Sequence, residues 1–209
     1  AIRFVLRHQI AALLAIVVVG GSALGWALID KDRRVRVEQA EAVKAKAALL
    51  VDAASGQVLF ERNAHKPYPP ASTVKLMTGL LVYEKTGLKG SVTINHSDTR
   101  VEPSHIPLVP GETVSVENLV NALMIGSDND SAMALARHVG GSPDQFIRMM
   151  NKRAVELGCH QTRFKNPHGL PAKGQQITAS DLLKIFQKSM AVPKLRKICA
   201  TPSYSLRTQ

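Results

Sequence analysis

The amino-acid sequence predicts a fold of the α+β type, in which a short strand hairpin precedes a mainly helical region. Two apolar runs, at residues 48–51 and 57–60, flank a turn-forming segment, as the two strands of a hairpin do. Residues 72–190 then carry helical patterns with capping residues and glycine stops. The chain has 209 residues, of which 45% are hydrophobic, so it is long enough for one medium-sized domain with its own core.

The first helix is expected to begin near Ser72 and to end at Gly87, a natural left-handed cap. It is apolar on nearly every side, so it should lie buried in the middle of the domain. A further strand is expected at residues 92–94, and no strand that could pair with the hairpin is evident, although a hairpin is marginal by itself. Four more helices are expected, over residues 115–125, 131–139, 142–158 and 178–190, and Ser115, Ser142 and Thr178 are expected to cap three of them.

The N-terminal part of the chain predicts a membrane segment. Residues 10–29 contain no charged side chain, and a helix of that length, at about 1.5 Å per residue, spans the roughly 30 Å hydrocarbon core of a bilayer. Both an uncleaved anchor and a signal peptide fit, because residues 23–25 offer a small-x-small cleavage pattern. Basic residues flank the run on both sides, so the direction in which it would cross the membrane stays open. The predicted organisation is a membrane segment at 1–30, a charged linker at 31–46 and a catalytic domain at 47–209.

Composition and residue spacing exclude several classes of function. The net charge is +11, but the chain has no zinc-finger spacing, no aromatic RNA-binding motif and only 4% aromatic residues, so we expect no nucleic-acid partner. The basic excess either has no specific meaning or suits a surface near anionic lipid or an acidic wall polymer. The histidines lack the spacing of metal ligands, so we expect no metal and no cofactor. Cys159 and Cys199 are expected to be buried free thiols, with one bridge between them as the alternative.

Ser72 and Lys75 form a Ser-x-x-Lys pair at the start of the buried helix. The spacing places both side chains on one face, one turn apart. A serine hydroxyl becomes a good nucleophile when a base takes its proton, and a lysine can be that base if burial keeps it neutral. The non-catalytic alternative is a serine N-cap followed by an ordinary lysine, so the pair by itself is weak evidence for catalysis.

A second candidate motif, Ser127-Asp128-Asn129, lies between two predicted helices. The catalytic interpretation gives Ser127 a proton-shuttling role and Asn129 a hydrogen bond to substrate or to Lys75. The alternative is a helix cap and turn, because these residue types are preferred there. Ser-x-x-Lys, Ser-Asp-Asn and Lys-Thr-Gly together are the motif set of class A β-lactamases and penicillin-binding proteins.

Several segments of the chain resemble the low-molecular-mass penicillin-binding proteins, which are serine D-alanyl-D-alanine carboxypeptidases. The resemblance covers residues 47–190 and rests on several matched segments in the same order. It implies the penicillin-binding protein/serine β-lactamase-like fold, in which an antiparallel sheet and a helical subdomain enclose a cleft. The matched segments are residues 70–78, 109–112, 125–132 and 164–170.

The resemblance implies an enzyme that removes the terminal D-Ala from peptidoglycan stem peptides through an acyl-enzyme. Lys75 would take the proton of Ser72, which attacks the peptide. Ser127 would help to protonate the leaving D-Ala, and Asn129 would hold the substrate. β-Lactams would act as covalent inhibitors on Ser72. This chemistry implies the extracytoplasmic face of a bacterial membrane, with the protein anchored through residues 10–29 or secreted.

Lys85-Thr86-Gly87 spells the third motif of the family in the wrong place. It ends the helix that begins near Ser72, and Gly87 is explained as the cap of that helix. The true element, with the strands that pair with the hairpin, is expected beyond Gln209. The chain is therefore expected to lack its C-terminal strands and to be inactive by itself.

Three alternatives stay open. A DD-endopeptidase or a β-lactamase could use the same scaffold, and a non-catalytic, membrane-anchored wall-binding protein would lack the third motif altogether. A class A β-lactamase is disfavoured, because no Glu follows Glu156 and Asn166 occupies the region where the deacylating Glu would be expected.

Overall fold

The computed structural model describes residues 14–19, 44–101 and 106–205. Within these ranges the chain has the predicted α+β character, with two small sheets and six α-helices. The strands are β1 (Leu14–Val19), β2 (Ala47–Asp52), β3 (Val58–Arg62), β4 (Ser91–Thr93) and β5 (Thr113–Ser115). The helices are α1 (Lys75–Thr86), α2 (Val116–Ile125), α3 (Asn129–Gly140), α4 (Pro143–Glu156), α5 (Ala179–Met190) and α6 (Pro193–Cys199).

Strands β2 and β3 form the predicted antiparallel hairpin. Asp52 closes its turn, because Oδ1 accepts hydrogen bonds from the backbone N–H of Ala54 at 3.1 Å and of Ser55 at 2.8 Å. Gly56 completes the turn at a φ of +74°, a conformation that glycine adopts without strain. β2 joins the hairpin to α5 through a small apolar cluster of Ala47, Leu49, Val51, Ala64, Ala179 and Leu183.

The apolar N-terminal run supplies a strand to this sheet. β1 pairs in parallel with β2, from Leu14 opposite Ala47 to Val19 opposite Asp52. The expectation that the hairpin has no pairing partner in the chain is therefore wrong, because an apolar run long enough for a membrane helix also has the composition of a buried strand. The rest of residues 10–29 and nearly all of the predicted linker lie outside the described residues, so both stay predictions. In the described ranges, no helix combines the length and the apolar character needed to cross a bilayer.

Helix α1 passes through the middle of the helical region, as its apolar surface predicts. It packs against the other five helices, α2 to α6. Met77, Leu80 and Val82 are wholly buried, and each such burial stabilises the fold by about 1.5–3 kcal/mol. The helix ends at Gly87, whose φ is +60° and whose N–H donates to the carbonyl of Tyr83 at 2.8 Å, so the predicted cap is confirmed.

Three predicted helix caps are confirmed as well. The hydroxyls of Ser115, Ser142 and Thr178 accept hydrogen bonds from the backbone N–H three residues later, at 3.2, 3.2 and 3.0 Å. The predicted start of α3 at Ser131 is two residues late. Asp128 is the cap instead, because its Oδ2 accepts from the N–H of Ser131 at 2.7 Å.

Besides β1, two further elements escaped prediction, β5 and α6. β5 is three residues long and is a strand because it pairs antiparallel with β4. α6 begins at Pro193 without a side-chain cap, and it is fixed by the burial of Leu195 and Ile198. Contacts with distant segments form both elements, so local sequence patterns give little sign of them.

The two cysteines are free thiols, so the alternative of a bridge is not realised. Cys159 is wholly buried, with its Sγ 3.4 Å from the carbonyl oxygen of Asp181. Burial raises the pKa of this thiol to about 11. Cys199 is exposed, so the expected burial holds for Cys159 alone.

Two arginines make ion pairs of similar geometry in different surroundings. Arg137 Nη2 donates to Oδ2 of Asp98 at 2.7 Å and to the carbonyl oxygen of Thr93 at 2.7 Å, and Asp98 is 1% exposed. Arg153 Nη2 donates to Oε1 of Glu84 at 2.6 Å, but the Glu84 side chain is 26% exposed. The first pair links α3 to the turn that follows β4 and its carboxylate is buried, whereas the carboxylate of the second pair is in contact with water.

Arg137→Met should lower the free energy of unfolding by about 3 kcal/mol or more, because the Asp98 carboxylate stays buried without its cation. The matched Arg153→Met should lower the free energy of unfolding by less than about 1 kcal/mol, since both of its partners, Glu84 and Glu156, remain hydrated. Urea denaturation followed by circular dichroism measures both losses. Equal losses in the two variants would contradict this difference in burial.

Candidate active site

Ser72 lies in a 3₁₀ turn, Ala71–Val74, that leads into α1. The chain reaches this turn along a backbone bridge in which Tyr68 and Ile177 each donate an N–H to the other's carbonyl at 2.9 Å. Ala71 has a φ of +49°, the left-handed region that a non-glycine residue rarely adopts. A strained residue directly before a half-buried serine is typical of a functional site.

Lys75 is the first residue of α1 and is 4% exposed. Its Nζ donates to Oδ1 of Asn129 at 2.8 Å and to the backbone carbonyl of His168 at 2.7 Å. The third contact, to Oγ of Ser72, is longer at 3.4 Å. The spacing of Ser72 and Lys75 therefore brings the two side chains together, as predicted, and adds Asn129 from a segment 54 positions away in the chain.

Burial lowers the pKa of Lys75 from its ordinary value of 10.5 to about 8, and the negative charge of Asp128 offsets part of that effect. With this pKa, about a tenth of the Lys75 amine is neutral at pH 7, whereas a lysine of ordinary pKa is almost wholly charged there. A neutral amine next to a serine hydroxyl can accept its proton, so Lys75 has the electrostatic setting of a general base.

Ser127 and Asn129 occupy different places at the site. Asn129 begins α3 and contacts Lys75 directly, whereas Ser127 is half-buried, with a left-handed φ of +54°. Among the described residues, no hydrogen bond joins the hydroxyl of Ser127 to Ser72 or Lys75. Asp128, between them, is wholly buried and caps α3, so the helix-cap interpretation holds for this residue, and the catalytic interpretation of the motif stays a prediction.

The turn at residues 165–170 supplies the acceptor that sequence reasoning missed. The backbone carbonyl of His168, rather than its imidazole, contacts Lys75. The imidazole Nδ1 accepts from the N–H of Leu170 at 3.2 Å, and burial, followed by the charge of Lys75, lowers the pKa of His168 to about 4. A backbone carbonyl has no residue-type signature, so the only sequence signal was the resemblance of this turn to the family.

The Lys85-Thr86-Gly87 sequence lies at the opposite end of α1 from the site. The rise of 1.5 Å per residue places its lysine about 15 Å along the helix axis from Lys75. Gly87 is the helix cap, which confirms that this sequence is not part of the site. In the described ranges, no three His, Cys, Asp or Glu side chains are grouped so that they could hold a metal ion.

A serine with a buried lysine of lowered pKa, backed by an asparagine, defines the class of serine acyl-transfer enzymes that use lysine as the base. The family profile described as D-alanyl-D-alanine carboxypeptidase, peptidase family S11, matches residues 34–209. The chain belongs to this family.

Characterised relatives are similar to this chain over most of its length. It is 33% identical over 169 residues to the D-alanyl-D-alanine carboxypeptidase DacF of Bacillus subtilis, which covers 78% of this chain and 43% of the relative. It is 39% identical over 155 residues to DacC of Escherichia coli, covering 69% and 39%. A D-alanyl-D-alanine endopeptidase of Pseudomonas aeruginosa is 32% identical over 157 residues, covering 74% and 50%. The chain therefore spans half or less of the length of these relatives.

Solved structures establish the fold. The D-alanyl-D-alanine carboxypeptidase of Mycobacterium tuberculosis H37Rv superposes with a TM-score of 0.73 at 32% identity, over 78% of this chain and 65% of that one. The Streptomyces K15 DD-transpeptidase superposes with a TM-score of 0.70 at 30% identity, over 74% and 63%. The penicillin-binding protein fold that the resemblance implied is therefore confirmed.

Asp128→Asn should lower the pKa of Lys75 below about 8, because it removes the negative charge that favours the ammonium form, while asparagine still caps α3. Carbon-13 NMR titration of the lysine Cε resonances measures this pKa directly. A Lys75 that titrates near 10.5 in the unmodified protein would contradict the desolvated setting of the amine. An unchanged pKa in Asp128→Asn would contradict the influence of the Asp128 charge.

Proposed function

We propose that this chain carries the nucleophile and base of a serine-type D-alanyl-D-alanine carboxypeptidase, which removes the terminal D-Ala from peptidoglycan stem peptides. The observation that carries the proposal is the Lys75 amine. It is nearly inaccessible to water, has a pKa lowered to about 8, and lies 3.4 Å from the hydroxyl of Ser72. The names of the relatives support the choice of substrate class.

In the proposed reaction, neutral Lys75 takes the proton of the Ser72 hydroxyl, and Ser72 Oγ attacks the carbonyl of the penultimate D-Ala. The peptide C–N bond then breaks, and the leaving amine of the terminal D-Ala takes up a proton with the help of Ser127. Asn129 holds Lys75 in place and contacts the substrate. Water hydrolyses the ester and regenerates the free serine.

The partners and the location follow from this chemistry. β-Lactams would acylate Ser72 and act as covalent inhibitors. Peptidoglycan stem peptides are extracytoplasmic, so we place the catalytic domain outside the bacterial cell membrane, either anchored to it or secreted.

A DD-endopeptidase is the second candidate, because a relative of that name is 32% identical to this chain. Both reactions would use the same acyl transfer, and they differ in whether the substrate is a free stem peptide or a cross-linked one. A β-lactamase is less well supported. The side chain of Asn166 forms hydrogen bonds within the turn: Oδ1 accepts from the N–H of Gly169 at 2.7 Å, and Nδ2 donates to the carbonyl of Leu170 at 2.9 Å.

The full gene product that contains this chain should release D-Ala from a peptide ending in D-Ala-D-Ala, and the rate should rise with pH and level off above about 8. Below that pKa the rate should fall about tenfold per pH unit, since only neutral Lys75 is a base. Ser72→Ala and Lys75→Met should each lower the rate by about a thousandfold or more. An assay of free D-Ala measures the release.

Lys85→Met is the matched control, because it removes an exposed lysine from the other end of the same helix, and it should keep the wild-type rate. A loss of activity in this control equal to that of Lys75→Met would refute the assignment of the base. Release from cross-linked dimers, with none from free stem peptides, would favour the endopeptidase.

A further inference from the structure

Thr78 is a polar residue on the part of helix α1 that lies in the apolar core, and it is wholly buried. It lies three residues after Lys75, one turn further along the same face. Its Oγ1 donates a hydrogen bond of 2.7 Å to the backbone carbonyl of Pro167. The bond reaches across 89 positions of the sequence, so it fastens a distant turn to the helix that carries the nucleophile.

The turn that Thr78 contacts also supplies the acceptor for Lys75. The carbonyls of Pro167 and His168 are consecutive, and they accept from Thr78 and from Lys75 at the same distance of 2.7 Å. The two bonds therefore fasten adjacent peptide groups to adjacent turns of α1. The two carbonyls belong to adjacent peptide planes that share the Cα of His168, so a displacement of the Pro167 carbonyl would be passed to the His168 carbonyl over a short distance.

The backbone of this turn also lies directly against the backbone of the nucleophile segment. Gly169 has a φ of +97°, and a Cβ at this position would lie within van der Waals overlap of the carbonyl oxygen of Ala71. Gln175 supports the turn from its other side, with Oε1 accepting from the N–H of Lys165 at 3.0 Å and of Asn166 at 3.2 Å. Thr78 is thus a second side chain of α1, besides Lys75, that holds the turn against the helix.

The number of acceptors around Lys75 matters for the chemistry. A neutral amine has two N–H groups and one lone pair. The Oδ1 of Asn129 and the carbonyl of His168 are the two short contacts, and they can accept both N–H groups. The lone pair is then left pointing at the third contact, the hydroxyl of Ser72. If the His168 carbonyl moved away, one N–H could turn toward Ser72 and the lone pair could turn away from it.

We propose that Thr78 is a positioning residue for acyl transfer: its bond to Pro167 holds the His168 carbonyl so that the Lys75 lone pair faces the Ser72 proton. The inference rests on the proposed function, because it concerns the step in which Ser72 loses its proton to Lys75 and bonds to the acyl carbon. Thr78 touches neither substrate nor reacting atoms, so it acts only through the turn and Lys75.

The test compares three variants with the wild-type, full gene product. Thr78→Val keeps the branched shape and removes the donor, and Thr78→Ser keeps the donor and removes a methyl group. Thr86→Val is the matched control, because Thr86 Oγ1 donates at 2.7 Å to the carbonyl of Val82 within α1 itself, far from the site. Stopped-flow measurement with a fluorescent penicillin separates the limiting acylation rate constant from the dissociation constant of the complex that precedes it.

Thr78→Val should lower the limiting acylation rate constant by about tenfold to a hundredfold, as expected for a misplaced catalytic group, and should leave the dissociation constant within about twofold. Thr78→Ser should restore the rate constant, and Thr86→Val should stay near the wild type. If Thr78→Val does not fold, as judged by circular dichroism, Thr78→Ala takes its place with the same expectations.

A wild-type acylation rate in Thr78→Val would overturn the inference. Equal losses in Thr78→Val and Thr86→Val would overturn it too, because they would reflect a general loss of stability. Failure of Thr78→Ser to restore the rate would show that the donor is not what matters. If the wild type itself is not acylated, the proposed function fails and the inference fails with it. If the wild type is acylated and Thr78→Val is acylated at the same rate, only the inference fails.

Discussion

The structure depends on the burial of one amine. Lys75 is 4% exposed in the middle of a helical core, where a charged group is costly. The protein reduces that cost in two ways that are visible in the geometry. Desolvation lowers the pKa of the amine to about 8, so that it loses its charge readily, and acceptors from two distant segments satisfy its N–H groups. Both conditions also suit the amine to the role that we propose for it, as the base for the neighbouring Ser72.

The rest of the helical region follows from this constraint. The amine is buried because α1 packs against five other helices and because most of the side chains that follow Lys75 in the first two turns are apolar. Its acceptors reach it because α3 begins at Asn129 and because the turn at residues 165–170 lies against the start of α1. Left-handed backbone occurs at Ala71, directly before Ser72, and at Ser127, two residues before Asn129. Strain of this kind persists where the surrounding packing fixes the chain, which the core around α1 does.

The sequence alone predicted the parts of this arrangement that local patterns encode. The hairpin, the buried α1, the Gly87 cap and three other helix caps depend on residues close together in the chain, and they were predicted correctly. The pair of Ser72 and Lys75 followed from helical spacing. The start of α3 was misplaced because Asp128 was not seen as its cap. The strand pairing of Leu14–Val19 was missed because an apolar run fits a strand as well as a helix.

The features that could not be predicted from the sequence are those formed by contacts between residues far apart in the chain. The His168 carbonyl is a backbone group, so no residue type marks it, and the bond from Thr78 to Pro167 joins positions 89 residues apart. In the sequence, Thr78 looks like any other helix residue. Only its burial and its bond to Pro167 indicate a positioning role. Family resemblance pointed to the turn as a whole, and the structure identified which of its atoms meet the amine.

The central claim is that Ser72 is a nucleophile activated by Lys75, and the mass of the protein after incubation with a penicillin tests it most directly. The full gene product should gain the mass of one penicillin, and peptide mapping should place the adduct on Ser72. Ser72→Ala should gain nothing under the same conditions. A folded, complete protein that forms no adduct, or an adduct that maps to another residue, would contradict the account.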